Sequence, residues 1–136
     1  MADINELLEA WPPEQAKLRE CLLELKACAE SLPGAAPSFV SRPGISHSLR
    51  FDLDPRPNHR ARPVFFLVDV VADGPEYFLS VCFYEDEISD PLEMGNAIPQ
   101  GLFAETGYCF DVEEPDPDLQ AYLNQRIKQA HRSALK

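Results

Sequence analysis

The sequence predicts an α+β fold of two layers: one antiparallel sheet of about five strands, a four-strand meander plus one, with N-terminal and C-terminal helices packed on one face. Three observations predict it. Apolar residues recur with helical period at both ends of the chain, over residues 4–32 and 119–134. Residues 46–53 alternate with the period of a half-buried strand. Two apolar runs, 64–71 and 76–84, are separated only by Ala72-Asp73-Gly74-Pro75. Helices gathered at the ends of a run of strands bury their stripes most simply as one layer over a sheet.

Each element has its own signal. Asp3 and Glu6 form a helix-start pair ahead of Ile4, Leu7, Leu8 and Trp11, and Pro12-Pro13 ends that short helix. Leu18, Cys21, Leu22, Leu25, Cys28, Ala29 and Leu32 line one face of a second helix, which stops at Pro33-Gly34. Ser38 to Ser41 reads as a short strand, and Pro43-Gly44 supplies the centre of a type II turn into Ser46–Leu53. Residues 54–63 hold several prolines and arginines and predict a stiff, exposed, basic connector. Residues 64–71 and 76–84 predict a long antiparallel hairpin. Residues 85–106 lack strand periodicity, apart from one capped helical turn at Asp90-Pro91 to Gly95. A last strand, Tyr108–Val112, leads to Asp116-Pro117 and a closing helix over 116–135. No boundary, repeat or low-complexity tract divides the chain, so residues 1–136 read as a single domain: helical to residue 32, a sheet over 38–112 and the final helix.

Composition narrows the functional classes. The 136 residues carry a net charge of −11. From Val64 to Pro115 there are twelve acidic residues and no Lys, Arg or His, whereas residues 33–63 are net basic. Phosphate backbones repel such a protein, so nucleic-acid binding is not expected. No stretch has the ~18 apolar residues of a membrane span, and the N-terminus is acidic and amphipathic. These features predict a soluble, cytoplasmic protein with no membrane partner. The four cysteines, at 21, 28, 82 and 109, form no C-x-x-C pair, which predicts no metal site and separate, reduced core thiols.

No motif amounts to a reaction signature. His47 between Ser46 and Ser48 lacks a nucleophile elbow, and Cys82 and Cys109 lie in apolar strands without a neighbouring base. The carboxylates of 85–93 lack calcium-loop spacing, and Gly95, Gly101 and Gly107 lack the context of a nucleotide loop. No catalytic residue and no cofactor are assigned. Arg56, His59, Arg60 and Arg62 are expected to fold back on the acidic half of the chain.

The informative surface is the sheet face turned away from the helices. If Leu49, Phe51 and Leu53 point to the helices, the other face collects Arg50, Phe65, Leu67, Asp69, Phe78, Cys82 and Tyr84. Such a face is too apolar to be left in water. The 85–106 segment with Ile98, Leu102 and Phe103, a second copy of the chain, or another ligand or partner is expected to cover it. Asp69 is expected to pair with Arg50 across strands. In size, acidity and helix–sheet–helix order the chain resembles small acidic secretion chaperones and some immunity proteins, a likeness that implies a protein partner and transfers no site residue. The function expected is a non-enzymatic interaction module that self-associates as a homodimer or binds another protein. The alternatives are a small enzyme or ligand-binding domain with its pocket under the 85–106 segment, and an acidic adaptor or inhibitor of a basic protein.

Overall fold

A computed structural model describes residues 3–136. It contains helices α1 (Ile4–Glu9), α2 (Ala16–Glu30) and α3 (Pro117–Leu135), with a 3-10 turn at Pro13–Gln15. Its strands are β1 (Ala35–Arg42), β2 (Ser46–Leu53), β3 (Phe66–Asp73), β4 (Glu76–Tyr84), β5 (Asn96–Leu102) and β6 (Glu105–Val112). They form one antiparallel sheet of order β1-β2-β3-β4-β6-β5.

The fold is α+β, with six strands where about five were expected. The additional strand, β5, lies inside the segment that lacks periodicity. It is an edge strand exposed at every position but Leu102, so no alternation marks it, and a register shift between Ile98 and Leu102 interrupts its pairing. The expected helical turn at Asp90–Gly95 is a non-helical turn. There the Asp90 carboxylate accepts from the Met94 and Gly95 N–H groups at 3.1 and 2.9 Å.

Caps set the helix starts. The carboxylates of Asp3 and Asp116 accept from the N–H groups of Glu6 and Leu119 at 3.0 and 2.9 Å, and Pro117 occupies the first turn of α3. Helix α2 buries Leu18, Cys21, Leu22, Leu25 and Ala29, and α3 buries Leu123, Ile127, Ala130 and Ala134. Each fully buried leucine contributes about 2 kcal/mol. Both stripes lie on the inner sheet face, formed by Leu49, Phe51, Leu53, Phe66, Val68, Val70, Leu79, Val81, Phe83, Phe110 and Val112. Phe51, Phe66 and Phe83 stack across β2, β3 and β4 with centroids 5.3 and 5.7 Å apart, and Phe110 meets Phe83 edge-on at 5.9 Å. Offset and edge-to-face contacts of this kind fix the register of four strands beyond what burial alone supplies.

Phe65 belongs to this inner core, not to the opposite face. It precedes β3, its N–H donates to the Phe51 carbonyl at 2.8 Å, and its ring packs edge-on against His131. The strand begins two residues later than the sequence reading, and strict alternation cannot be carried back through the kink that precedes it.

Candidate interaction surface

Register places the outer-face side chains in rows across the sheet. One row runs Val40, Ser48, Asp69, Ser80 and Asp111; the next runs Ser38, Arg50, Leu67, Cys82 and Cys109. On the other side of the first row lie Val71 and Phe78, opposite each other and half-buried. Leu67, Asp69, Phe78, Cys82, Tyr84 and Arg50 therefore share the outer face, as alternation predicted.

The chain covers one end of this face itself. Leu102, at the tip of the β5–β6 hairpin, folds inward and forms a second small core with Val64, Leu67, Cys82 and Tyr84. Phe103 follows in the hairpin turn and lies over the Arg50 guanidinium, 5.3 Å from ring centroid to Cζ, while remaining 44% exposed. Ile98 stays on the exposed outer edge at 42%. Of the three segment residues singled out in the sequence, only Leu102 and Phe103 reach side chains of the outer face.

Arg50 does not pair with Asp69. Its Nε donates to Ser48 Oγ at 3.1 Å and its guanidinium lies under Phe103. The register explains this: Arg50 is opposite Leu67, and the residue opposite Asp69 is Ser48. Among the described residues Asp69 has no ion-pair partner, and it stands half-buried between Ser48 and Ser80.

Cys82 and Cys109 are directly opposed on β4 and β6 and are joined by a disulfide, with Cα atoms 4.2 Å apart. This corrects the expectation of separate thiols. Taken singly each cysteine reads as a small apolar strand residue, and only the pairing of two strands 27 residues apart in sequence brings them together. Cys21 and Cys28 are free. Burial first, and then Glu24, push the Cys21 thiol up to about 12, which leaves it an unreactive core residue.

The basic connector closes over the same end of the sheet. Arg60 grips Glu87 through two hydrogen bonds of 2.7 and 3.0 Å and donates to the Val64 carbonyl at 2.8 Å, with both side chains only 7% exposed. Arg62 holds Asp86 and Glu105 and lies over the Tyr84 ring, 4.3 Å from its centroid. Hydrogen bonding from Arg62 holds the Asp86 carboxyl below its ordinary value. Through Arg60 and Arg62 the connector, 85–87 turn and β5–β6 hairpin are thus tied by charge, as expected, whereas Arg56 holds Asp52 on β2 and His59 meets the Lys136 carbonyl instead of the acidic half.

Tyr84 is completely buried beneath this clasp, and its hydroxyl has no hydrogen-bond partner. Burial, ahead of the nearby Glu105, pushes it up to about 12. Replacing Tyr84 by Phe removes an unpaired polar atom and keeps the ring under Arg62. Urea unfolding should show stability unchanged or raised by up to about 1 kcal/mol.

The remaining candidates for chemistry are tied into the fold. His47 Nδ1 shares a 2.8 Å hydrogen bond with Ser41 Oγ rather than with Ser46 or Ser48, and burial lowers its pKa. Asp90 is enclosed by the Tyr108 and Tyr122 hydroxyls as well as by its two N–H donors. A cleft of about 490 Å³ is on the helical side, lined by Lys17, Glu20, Glu24, Asp116, Gln120 and Asn124. Under the hairpin tip, where a ligand pocket was the alternative, Leu102 fills the space. Among the described residues no helix is long and apolar enough to cross a membrane.

No protein-family model matches the chain, and no curated protein or solved structure matches it either. The outer face and the sheet edges are therefore read on their own chemistry.

Proposed function

We propose that this protein is a non-enzymatic interaction module that self-associates and presents its outer sheet face to a partner. The observation that carries the reading is the uncovered part of that face. Val71 and Phe78 are half-buried and, among the described residues, belong to neither apolar core; Asp69 and the exposed Asp111 flank them. Apolar side chains bordered by unpaired carboxylates suit a protein surface with basic side chains better than they suit water. The groups that carry chemistry elsewhere are here engaged in holding the fold: Cys82 with Cys109, Glu87 with Arg60, His47 with Ser41. We place the protein in the cytoplasm. Leu67, Tyr84 and Leu102 pack with Cys82 in one small core beside its bond to Cys109.

Solution mass tests the reading. Light scattering across concentration should give a dimer, and added salt should strengthen it, because each copy carries a net charge of −11 that salt screens. A monomer over the whole concentration range at high salt overturns self-association.

A further inference from the structure

The two edges of the sheet are built differently. Strand β5 is a poor template for another strand: it carries Pro99, which has no N–H, Gln100 in the left-handed region at φ +56°, and the register shift between Ile98 and Leu102. Strand β1 has none of these devices after Pro37. It pairs with β2 without interruption from Ala35 to Arg42, and among the described residues no strand pairs with its other side.

Its main-chain groups can be assigned by alternation. The Asp54 N–H donates to the Gly34 carbonyl at 2.8 Å, just before β1 begins, so Gly34 and Asp54 are a hydrogen-bonded pair. On the far side of β2, the Ala72 N–H donates to the Ile45 carbonyl at 3.1 Å, so odd-numbered residues of β2 turn to β3 and even-numbered ones to β1. Both fixed points agree. In an antiparallel ladder the bonded pairs recur every second residue, so Ala36, Ser38, Val40 and Arg42 bond inward to β2. Pro37, Phe39 and Ser41 then direct their main-chain groups to the open edge. The Ala35 N–H is already taken by the Leu32 carbonyl. The edge thus offers the N–H groups of Phe39 and Ser41 with the carbonyls of Pro37, Phe39 and Ser41.

We propose that a second copy of the chain occupies this edge, adding its own β1 antiparallel about a two-fold axis at Phe39; the inference rests on the self-association read above and names its surface. The row is self-complementary in that register. Each Phe39 N–H meets the other Phe39 carbonyl, and each Ser41 N–H meets the other Pro37 carbonyl, so the missing donor at Pro37 costs nothing and no outward N–H is orphaned. This register overlaps the strand from Ala36 to Arg42. Charge permits it here and disfavours it elsewhere: there is no carboxylate from Ser31 to Phe51, whereas the opposite half of a chain of net charge −11 is acidic. The nearest carboxylate along β2, Asp52 opposite Ala36, is held by Arg56 at 2.7 Å. The dimer joins the two outer faces into one continuous surface, with Val40 and Ser38 of the copies side by side at the seam.

Two changes and two controls test this. Ser41→Pro removes an outward donor without touching the inward ladder, with Ser41→Ala as the control for the hydroxyl lost to His47, and Ser38→Glu with Val40→Glu sets carboxylates directly opposite one another on exposed positions. Each change should raise the dimer dissociation constant at least about tenfold, ~1.4 kcal/mol, with the circular-dichroism spectrum unchanged. Phe78→Glu, on the outer face, should leave the dimer intact. In the unaltered protein the Phe39 and Ser41 amides should exchange with solvent more slowly as concentration rises. A dimer that survives both edge variants and dissociates in Phe78→Glu overturns the edge assignment and leaves self-association standing, through the outer face. Fast exchange of both amides in a persistent dimer overturns it equally. A monomer at every concentration and salt overturns both readings.

Discussion

Glu87→Ala should cost about 3–5 kcal/mol, because it strands a buried guanidinium. Arg60 and Glu87 are each 7% exposed, and Glu87 accepts two of the three hydrogen bonds that Arg60 donates. With the carboxylate gone, only the Val64 carbonyl remains as a hydrogen-bond acceptor for a guanidinium that is 7% exposed. Replacing both partners with apolar residues, Arg60→Met with Glu87→Leu, should cost far less than either single change, since no uncompensated charge is left. The cycle of single and double variants, followed by urea unfolding, reads the coupling directly. A single variant within about 1 kcal/mol of the parent would show that water already solvates the pair. The effect extends beyond the pair. Glu87 lies next to Asp86, and Arg62 joins Asp86 to Glu105 at the root of β6, so losing the grip should also speed amide exchange in the β5–β6 hairpin.

Acid should remove a second contribution. Burial alone raises the Asp90 carboxyl, but the Tyr108 and Tyr122 hydroxyls and the Gly95 and Met94 N–H groups outweigh it and hold the pKa at about 2, below its ordinary 3.8. A depressed pKa means that the unfolded chain binds the proton first. The contribution is therefore fully present above about pH 4 and is lost as pH falls toward about 2. Asp90→Asn should destabilise by about 1.5–3 kcal/mol at neutral pH, since one amide oxygen cannot replace a carboxylate that accepts from four donors. The gap between variant and parent should narrow as pH is lowered through that window, read from urea midpoints at several pH values. A gap that stays constant with pH would mean that the charge on Asp90 contributes nothing. Gly95 belongs to the same arrangement. A Cβ there would lie 2.6 Å from the Tyr108 ring and 2.8 Å from that of Phe110, so the turn that offers its N–H to Asp90 closes only on glycine.

What was legible in the sequence followed from periodicity. Leu18 to Ala29 and Leu123 to Ala134 announce buried helix stripes, and Leu49, Phe51 and Leu53 announce which face of β2 meets them. The outward set of β4, from Phe78 to Tyr84, came from the same rule of two. Where periodicity is absent the reading fell short. Strand β5 is exposed on both faces and carries a proline, so nothing in its composition separates it from a loop. Phe65 has the spacing of an outward residue, but the strand starts after it. The Cys82–Cys109 bond and the Arg50–Phe103 contact depend on which strands are neighbours and in what register, information that lies in long-range pairing and not in any local window. The Arg60–Glu87 grip was anticipated only as attraction between oppositely charged segments, because the choice of partners requires the folded path of both loops.

The irregularity of β5 also decides how large an assembly built from these sheets can become. A subunit with two competent edges is bifunctional in the polymer chemist's sense: each addition exposes a fresh end, and growth runs on to a fibre. Pro99 and the displaced register next to it make this subunit monofunctional. In the proposed dimer, addition at β1 would consume the reactive end of both participants and regenerate none, so the reaction would terminate after one step. Straightening β5 is thus the change by which this sequence would acquire open-ended growth.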